Sequence, residues 1–147
     1  MSDVLDLENQ ICFKHYVVSK EIIRHYKPFL DPLSLTYTGY ITMLALWEKD
    51  GISVKSLSER LYLDSGTLTP LLKRLEQKGY VRRTRSQEDE RVVRVYLTGQ
   101  GQALKEKAKP IPRKLIDSIF PDGVDETAAA EHIMALNQLI HILTQRR

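Results

Sequence analysis

The chain contains one cysteine, Cys12, in a segment that also carries two tyrosines. Tyr16 follows Cys12 by four residues, and Tyr26 follows it by fourteen. A free cysteine is most often a small, buried apolar residue. A cysteine whose sulfur accepts a hydrogen bond from a tyrosine hydroxyl is instead a candidate nucleophile, because the hydroxyl stabilises the thiolate. Both interpretations are open at this point.

Other chemistry at Cys12 is poorly supported. His15 and His25 lie nearby, but no set of His, Cys and carboxylate residues has the spacing of a metal site. No orienting acid accompanies either histidine, so a cysteine hydrolase is not indicated. A thiol peroxidase that turns over would need a resolving thiol, and the chain has only one cysteine. We therefore predict no metal, no cofactor and no enzymatic activity. A chain that forms no internal disulfide also fits the cytoplasm.

Apolar residues that repeat with a helical period predict most of the elements that position these side chains. Helices are expected at residues 4–29, 36–49, 53–61, 65–78, 98–109, 113–120 and 125–145. Pro28 and Pro32 should end the first helix, and Pro110 and Pro112 should break or kink the chain after residue 109. Charges interrupt every apolar run, so no membrane-spanning segment is expected.

The period changes from 3.6 to two residues after Gly79. YVRRTR and RVVRVYLT alternate as strands, and the polar SQEDE between them predicts a hairpin tip. Two short helices joined by a tight turn and followed by a basic hairpin make a winged helix-turn-helix. The predicted fold is therefore mainly α with a small β-hairpin wing. We expect one domain over residues 1–147, with the winged lobe at residues 53–97.

Positive charge is concentrated in that lobe. The whole chain carries a net charge of +3, whereas residues 53–97 contain ten Lys and Arg against six acids. A local basic stripe on a nearly neutral protein suggests a polyanion partner. A solvated charged face remains the alternative for each residue taken alone.

The lobe supplies the side chains that a DNA-binding protein of this kind needs. Its second helix would enter the major groove with small hydrogen-bonding residues in its first turns, at Ser65, Thr67 and Thr69. These residues could also be simple helix caps. An arginine near the hairpin tip, Arg91, would reach the minor groove. Basic residues that would neutralise backbone phosphates are Lys73, Arg74, Arg82, Arg83 and Arg85.

Three segments of the chain resemble a known family. LYLDSGTLTPLLKRLEQKGYVRRTRSQEDERVV, followed by LTGQG, closely resembles the DNA-binding lobe of the MarR family, including the Asp-x-Arg of its wing at Asp89 and Arg91. LENQICF, with tyrosines four and fourteen residues after the cysteine, resembles the organic-hydroperoxide-sensing OhrR-type branch. LTYTGY is similar to the single-cysteine regulators of staphylococci. Pro110 and Pro112 depart from the family pattern within the long dimerisation helix.

The resemblance implies a homodimeric repressor that binds a pseudo-palindromic operator in double-stranded DNA. Residues 1–35 and 98–147 would interleave between two chains, with five apolar residues buried there: Ile11, Val18, Leu136, Ile140 and Leu143. Tyr16 and Tyr26 would hydrogen-bond to the reactive Cys12 sulfur, with Tyr26 contributed by the partner subunit. An organic hydroperoxide would oxidise Cys12, and a low-molecular-weight thiol would cap it. Apolar neighbours such as Phe13 and Ile23 would favour organic peroxides.

One alternative has the same architecture. A MarR-type repressor could be released by a small apolar or phenolic ligand, with Cys12 only filling space. A thiol peroxidase is a weaker alternative, for the reason given above.

Overall fold

The computed structural model describes residues 3–145 of the chain. The helices are α1 (Ile11–Leu30), α2 (Tyr37–Glu48), α3 (Val54–Leu61), α4 (Ser65–Gln77), α5 (Gly99–Ala108), α6 (Ile111–Ile119) and α7 (Glu126–Thr144). The strands are β1 (Ile52–Ser53), β2 (Val81–Arg85) and β3 (Val93–Leu97), and short 3-10 turns cover Leu7–Asn9 and Asp31–Leu33. The chain divides into two compact units, residues 1–115 and residues 116–147.

The first helix begins later and ends later than its apolar pattern predicted. Gln10 has extended backbone angles (φ −87°, ψ 101°), so α1 starts at Ile11 rather than near Val4. The Gln10 side-chain amide donates to the Val4 carbonyl at 2.7 Å and holds the preceding segment in place. Pro28 does not break the helix. It lies in the last turn of α1, where its missing N–H deprives one carbonyl of a partner, and the helix ends beside the turn that contains Pro32.

Side-chain caps set the starts of α2, α3 and α4. Thr36 accepts a hydrogen bond from the Gly39 N–H at 3.1 Å. Ser53 accepts one from the Ser56 N–H at 3.1 Å, and Asp64 accepts one from the Thr67 N–H at 2.7 Å. Each cap satisfies a backbone donor that the helix itself leaves free. The predicted start of α4, between Ser65 and Thr67, is confirmed at Ser65.

The predicted hairpin is confirmed and gains a third strand. β2 pairs antiparallel with β3, with Val81 opposite Leu97 and Arg85 opposite Val93. β3 also pairs with the two-residue strand β1, giving the order β1-β3-β2. The hairpin connection, residues 86–92, projects as the wing. Together with α3 and α4 this sheet makes the winged helix-turn-helix that the sequence predicted.

One apolar core ties this lobe to the helices around it. Its fully buried side chains are Leu30, Met43, Leu46, Leu57, Leu68, Leu72, Leu75, Val81 and Val95. Burying a leucine of this kind stabilises the fold by about 1.5–3 kcal/mol. The core therefore joins the end of α1 to α2, α3, α4 and the sheet.

The first and last helices, α1 and α7, contribute little to this core. α7 has no buried residue, and Leu30 is the only buried residue of α1. Both helices expose large apolar side chains: Ile11, Phe13, Tyr16, Val18, Ile22 and Ile23 on α1, and Ile133, Met134, Ile140, Ile142 and Leu143 on α7. Within residues 3–145, no helix is long and apolar enough to cross a membrane.

The two prolines that follow α5 have different positions relative to the next helix. α5 ends at Ala108, so Pro110 stands in the break before α6. Pro112 is the second residue of α6, where a backbone N–H would have no intrahelical partner. The predicted break is confirmed, but Pro112 lies inside the new helix rather than ahead of it.

The start of α5 contacts the wing sheet without any side chain between them. A Cβ at Gly101 would lie 2.0 Å from the Tyr80 carbonyl oxygen, whereas a Cβ at Gly99 would meet nothing within 4 Å. The Trp47 indole N–H donates to the Gly101 carbonyl at 2.9 Å. This junction requires glycine because the obstacle is rigid backbone.

We predict that Gly101→Ala lowers the free energy of unfolding by about 1–3 kcal/mol, because the added methyl group must displace the Tyr80 backbone. Gly99→Ala is the matched control, since it adds the same methyl group two residues earlier, where the group meets open space. Chemical denaturation of the three proteins gives both values. Equal stability of the two variants would show that the junction yields without cost.

Candidate nucleic-acid interface and thiol site

Cys12 is exposed and is the second residue of α1. Gln10, the residue before the helix, makes no side-chain cap bond. The first-turn N–H groups therefore lack a side-chain acceptor, and this end of a helix favours negative charge nearby. The pattern that placed the helix start at Val4 put Cys12 in the second or third turn and missed this environment.

Tyr16 lies one turn after Cys12 and is also exposed. Its ring stacks on Phe13 with centroids 6.4 Å apart, and the Lys20 ammonium lies 5.7 Å from its centroid. Its exposed fraction is 62%. Phe13 and Tyr16 therefore expose aromatic surface on the part of α1 that carries Cys12.

Tyr26 lies in a cluster of three tyrosines. Its ring centroid is 5.0 Å from that of Tyr37 and 5.5 Å from that of Tyr40. Burial, with smaller contributions from Tyr37 and Tyr40, raises the pKa of Tyr26 to about 12. The hydroxyl is protonated at neutral pH and is able to donate a hydrogen bond. The sequence pattern did not identify Tyr37 and Tyr40 as its neighbours, because their contact with α1 depends on tertiary packing.

Cys12 and Tyr26 cannot meet within one chain. Fourteen residues of continuous helix separate them by about 21 Å. The structure thus brings Tyr16 near Cys12 along α1 and leaves Tyr26 distant. A hydrogen bond between Tyr26 and this sulfur requires a second copy of the chain.

The residues predicted to contact DNA from α4 are all exposed: Ser65, Thr67, Thr69, Lys73 and Arg74. Their side chains point in different directions around the axis of α4. At about 100° per residue, the residues within roughly 30° of the direction opposite the buried leucines are Gly66, Pro70, Lys73 and Gln77. Thr67 lies on one flank of this face. Ser65 and Thr69 lie on the other, where they line a cleft of about 570 Å³ shared with Arg83 and Arg91.

The wing tip presents an oriented arginine. The Arg91 Nε–H and Nη2–H donate to the two carboxylate oxygens of Asp89, each at 3.1 Å. This side-chain hydrogen bond, and then the bond from the Arg91 backbone N–H, lower the pKa of Asp89. The Arg91 side chain is 91% exposed. Nearby, Arg85 donates to the Glu90 carbonyl at 2.9 Å, which orders the base of the same loop.

Arg83 differs from the other predicted phosphate contacts because it already has an anionic partner. Its backbone N–H donates to Glu76 Oε2 at 2.9 Å, and its guanidinium donates to Oε1 at 3.2 Å. The backbone bond, followed by the side-chain bond, lowers the pKa of Glu76. Arg83 therefore ties β2 to α4, a role that sequence spacing did not predict.

Other basic residues of the lobe also have structural partners. Arg82 stacks on the Tyr96 ring, 4.7 Å from its centroid, and Arg94 donates to the Gly51 carbonyl at 3.0 Å. Within the described part of the chain, neither His15 nor His25 lies in a group of three or more His, Cys, Asp or Glu residues that could hold a metal ion. His15 Nδ1 instead lies 2.9 Å from the Ile11 carbonyl oxygen.

The exposed α4 face, the basic residues beside it and the wing arginine define a winged-helix DNA-binding protein. The family model described as transcriptional regulator SarA/Rot matches residues 24–108. The organic hydroperoxide resistance transcriptional regulator of Bacillus subtilis is 46% identical over 139 residues, which cover 95% of each protein. The chain therefore belongs to the MarR/SarA family of transcriptional regulators.

Solved structures agree with this assignment. Reduced AbfR bound to DNA matches with a TM-score of 0.77 and 33% identity over 95% of each chain, and AbfR comes from Staphylococcus epidermidis. AbfR has also been solved overoxidised on DNA and with a disulfide. A MarR transcriptional regulator from Methanosarcina mazei matches with a TM-score of 0.73 and 26% identity, over 84% of this chain and 92% of that one.

We predict that Glu76→Gln lowers the free energy of unfolding by about 1 kcal/mol at pH 7, since the Arg83 pair is partly exposed. The pKa of Glu76 is lowered in the folded state, so its stabilisation is present above the unfolded pKa. It is lost as the pH falls through the folded pKa. The difference between variant and wild type should therefore shrink in acid. Denaturation at several pH values measures it.

Glu106→Gln is the control, because it removes a carboxylate from a well-exposed pair with Lys109. It should change stability little at any pH. A Glu76→Gln difference that persists undiminished in acid would contradict the assigned cause.

Proposed function

We propose that this protein is a sequence-specific DNA-binding repressor whose operator binding is switched off when organic hydroperoxides oxidise Cys12. The observation that carries this proposal is the 46% identity, over nearly the whole chain, to an organic hydroperoxide resistance transcriptional regulator. The place of Cys12 supports it, because the single cysteine of the chain lies at the start of α1, a helix whose apolar side chains a partner subunit would cover. The protein would act as a stoichiometric sensor in the cytoplasm rather than as an enzyme.

A homodimer is the assembly that the exposed apolar helices require. α1 and α7 present rows of large apolar side chains, and such surfaces in a single chain mark an interaction site. A second copy would cover them through residues 1–35 and 98–147, including Ile11, Val18, Ile140 and Leu143. Two-fold symmetry would then present two α4 helices to a pseudo-palindromic operator about one helical turn apart.

In this dimer each winged lobe, residues 53–97, would contact the duplex in two ways. α4 would enter the major groove with Ser65, Thr67 and Thr69 at its edges, while Lys73 and Arg74 contact phosphates. The wing would place Arg91 in the minor groove, held in orientation by Asp89. Arg85 would contact phosphates, whereas Arg83 would serve mainly to fix β2 against α4. Affinity should fall steeply with salt because counterions are released from the contacted phosphates.

We predict that Arg91→Ala weakens operator binding by about fivefold or more per dimer. Thermal stability should stay nearly unchanged, because the Arg91–Asp89 pair is exposed and screened by solvent. Arg24→Ala is the control, since it removes an exposed arginine from α1. Titration of a labelled operator compares them. A fall in melting temperature with unchanged affinity per folded dimer would make the pair structural.

The proposed switch is a two-step reaction at sulfur. The Cys12 thiolate attacks the distal oxygen of an organic hydroperoxide, the O–O bond breaks, and after proton transfer the products are a sulfenic acid and an alcohol. A low-molecular-weight thiol then attacks the sulfenic sulfur, forms a mixed disulfide and releases water. Before oxidation, Tyr16 of the same chain and Tyr26 of the partner subunit would donate hydrogen bonds to the thiolate.

Release of DNA would follow because the capped Cys12 side chain no longer fits between the subunits. The capped sulfur would be too bulky and polar for a packed position between subunits, so the tyrosine contacts break and α1 shifts. A small relative displacement of the two α4 helices costs contacts at both half-sites together.

A second candidate function is release by a small apolar or phenolic ligand, with Cys12 only structural. The observation that favours it is an apolar cleft of about 320 Å³ lined by Tyr40, Leu44, Trp47 and Lys105. A phenol would suit such a cleft, with its ring on Trp47 and its hydroxyl near Glu48 or Lys105.

Cys12→Ser distinguishes the two functions. Wild type and variant should both sediment as dimers and bind operator when reduced. After cumene hydroperoxide and a small thiol, wild type should release DNA and gain the mass of one thiol adduct per chain, while the variant stays bound. Equal release from both proteins would refute sensing by Cys12, and sedimentation as stable monomers at micromolar concentration would refute the dimer.

A further inference from the structure

The segment before α1, residues 3–9, is an ordered turn that displays apolar side chains to solvent. The Asn9 side-chain amide donates to the Asp3 carbonyl at 2.8 Å, and the Gln10 amide donates to the Val4 carbonyl at 2.7 Å. Val4 and Leu5, the apolar tip of this turn, are nevertheless 83% and 84% exposed. A tip whose shape is already fixed loses little conformational freedom when it binds.

A cleft of about 320 Å³ between α2 and α5 has the lining that such a tip requires. The α2–α5 cleft is lined in part by four apolar or aromatic side chains: Tyr40, Leu44, Trp47 and Pro112. Leu44 is 42% exposed although both its neighbours in α2 are buried. α2 lies outside the two ranges, 1–35 and 98–147, that are expected to lie between subunits. The interface described above therefore leaves this cleft unexplained.

The turn and the cleft carry opposite charge. The turn contains three acids and no basic residue: Asp3, Asp6 and Glu8. Lys105 and Lys109 line the cleft. Lys109 already pairs with Glu106, so Lys105 is the cation that faces an incoming carboxylate. Glu48 also lines the cleft, but its carboxylate is paired with Arg60. Complementary charge of this kind orients two surfaces as they associate.

The proposed dimer brings the turn of one chain to the cleft of the other. In that dimer the Cys12 sulfur contacts the Tyr26 hydroxyl of the partner subunit. Within each chain, the Tyr26 ring centroid lies 5.5 Å from that of Tyr40, which lines the cleft. The Val4 carbonyl is bound by Gln10, two residues before Cys12. The sulfur contact therefore leaves the tip of each chain beside the cleft of its partner.

We propose that the α2–α5 cleft of each subunit holds the apolar tip of the other subunit, an inference that rests on the proposed dimer. The Leu5 side chain packs against Leu44 and Trp47, and the acids of the turn face Lys105. The cleft is then a contact between subunits rather than an open ligand site. Because the turn is bonded to the start of α1, a shift of that helix after oxidation of Cys12 also strains this contact.

A disulfide between the two surfaces tests the contact directly. In a Cys12→Ser background, Leu5→Cys combined with Leu44→Cys should give a covalent dimer on mild oxidation, with the bond between residues 5 and 44 identified by mass spectrometry. Both side chains are exposed in the single chain, so the variant should fold. Leu5→Cys combined with Tyr62→Cys is the matched control, because Tyr62 is an exposed residue of the winged lobe outside the cleft. It should form no bond between residues 5 and 62.

The fluorescence of Trp47 gives a second measurement, because it is the only tryptophan of the chain. At a concentration where the protein is dimeric, Leu5→Ala should shift the emission to longer wavelength as water enters the cleft. It should also raise the Kd of the dimer about tenfold for each of the two symmetric contacts. Ile133→Ala is the control, since it truncates an exposed apolar side chain of α7. Its emission should equal that of wild type.

Sedimentation of the wild type separates this inference from the function beneath it. A stable monomer would refute both the proposed dimer and the docked tip. A dimer that binds operator, yet forms no bond between residues 5 and 44 or keeps its Trp47 emission in Leu5→Ala, would refute the docked tip alone. 4-Nitrophenol should quench Trp47 at lower concentration in Leu5→Ala than in wild type, because an occupied cleft must first be emptied. Saturable quenching with equal affinity in both proteins would make the cleft a ligand site instead.

Discussion

The orientation of α4 about its own axis is the constraint on which the DNA-binding surface depends. Leu68, Leu71, Leu72 and Leu75 are all buried, so rotating the helix by one residue would expose much of this set. Each leucine stabilises the fold by about 1.5–3 kcal/mol on burial. The core therefore decides which side chains face outward. The polar residues of the first turns are only candidates until that orientation is known.

The same core couples the cysteine-bearing helix to the DNA-binding lobe. Leu30, at the end of α1, is buried in it, and the Tyr80 hydroxyl donates to the Leu33 carbonyl at 2.7 Å. The Lys78 ammonium donates to the Ser34 carbonyl just beyond. α1 is thus joined to the end of α4 and the start of β2 by packed contacts and hydrogen bonds. Close-packed junctions transmit displacement rather than absorb it, which is what a switch located on α1 needs.

Local sequence rules predicted the elements whose causes are local. The apolar repeats of α2 to α5 and the alternation of β2 and β3 were sufficient to identify the winged fold. β1 was missed because two residues carry no period, and Ile52 is a strand only through its pairing with Val95. The start of α1 was wrong because the extended backbone at Gln10 interrupts an apolar pattern that continues across it.

The features of the candidate site also divide into those that neighbouring residues cause and those that depend on tertiary packing. Exposure of Arg91 and its pairing with Asp89 follow from neighbours two residues apart, so spacing alone could indicate them. The Glu76–Arg83 pair joins a helix to a strand, and the Tyr26 cluster joins α1 to α2. Neither has a signature in the residue pattern. The outward direction of the α4 residues between the leucines could be assigned only after the buried leucine face was known.

Coupling between the thiol and the operator has a thermodynamic consequence that does not depend on the path between them. If capping Cys12 weakens operator binding by some factor, operator binding must disfavour the capped state by the same factor at equilibrium. In a two-fold dimer a loss at each half-site multiplies, because both α4 helices move relative to one duplex. Modest losses per half-site, each within the range of one or two base contacts, therefore suffice for a switch. The α4 face then needs only moderate contacts, and a few small groups on a firmly oriented helix meet that requirement.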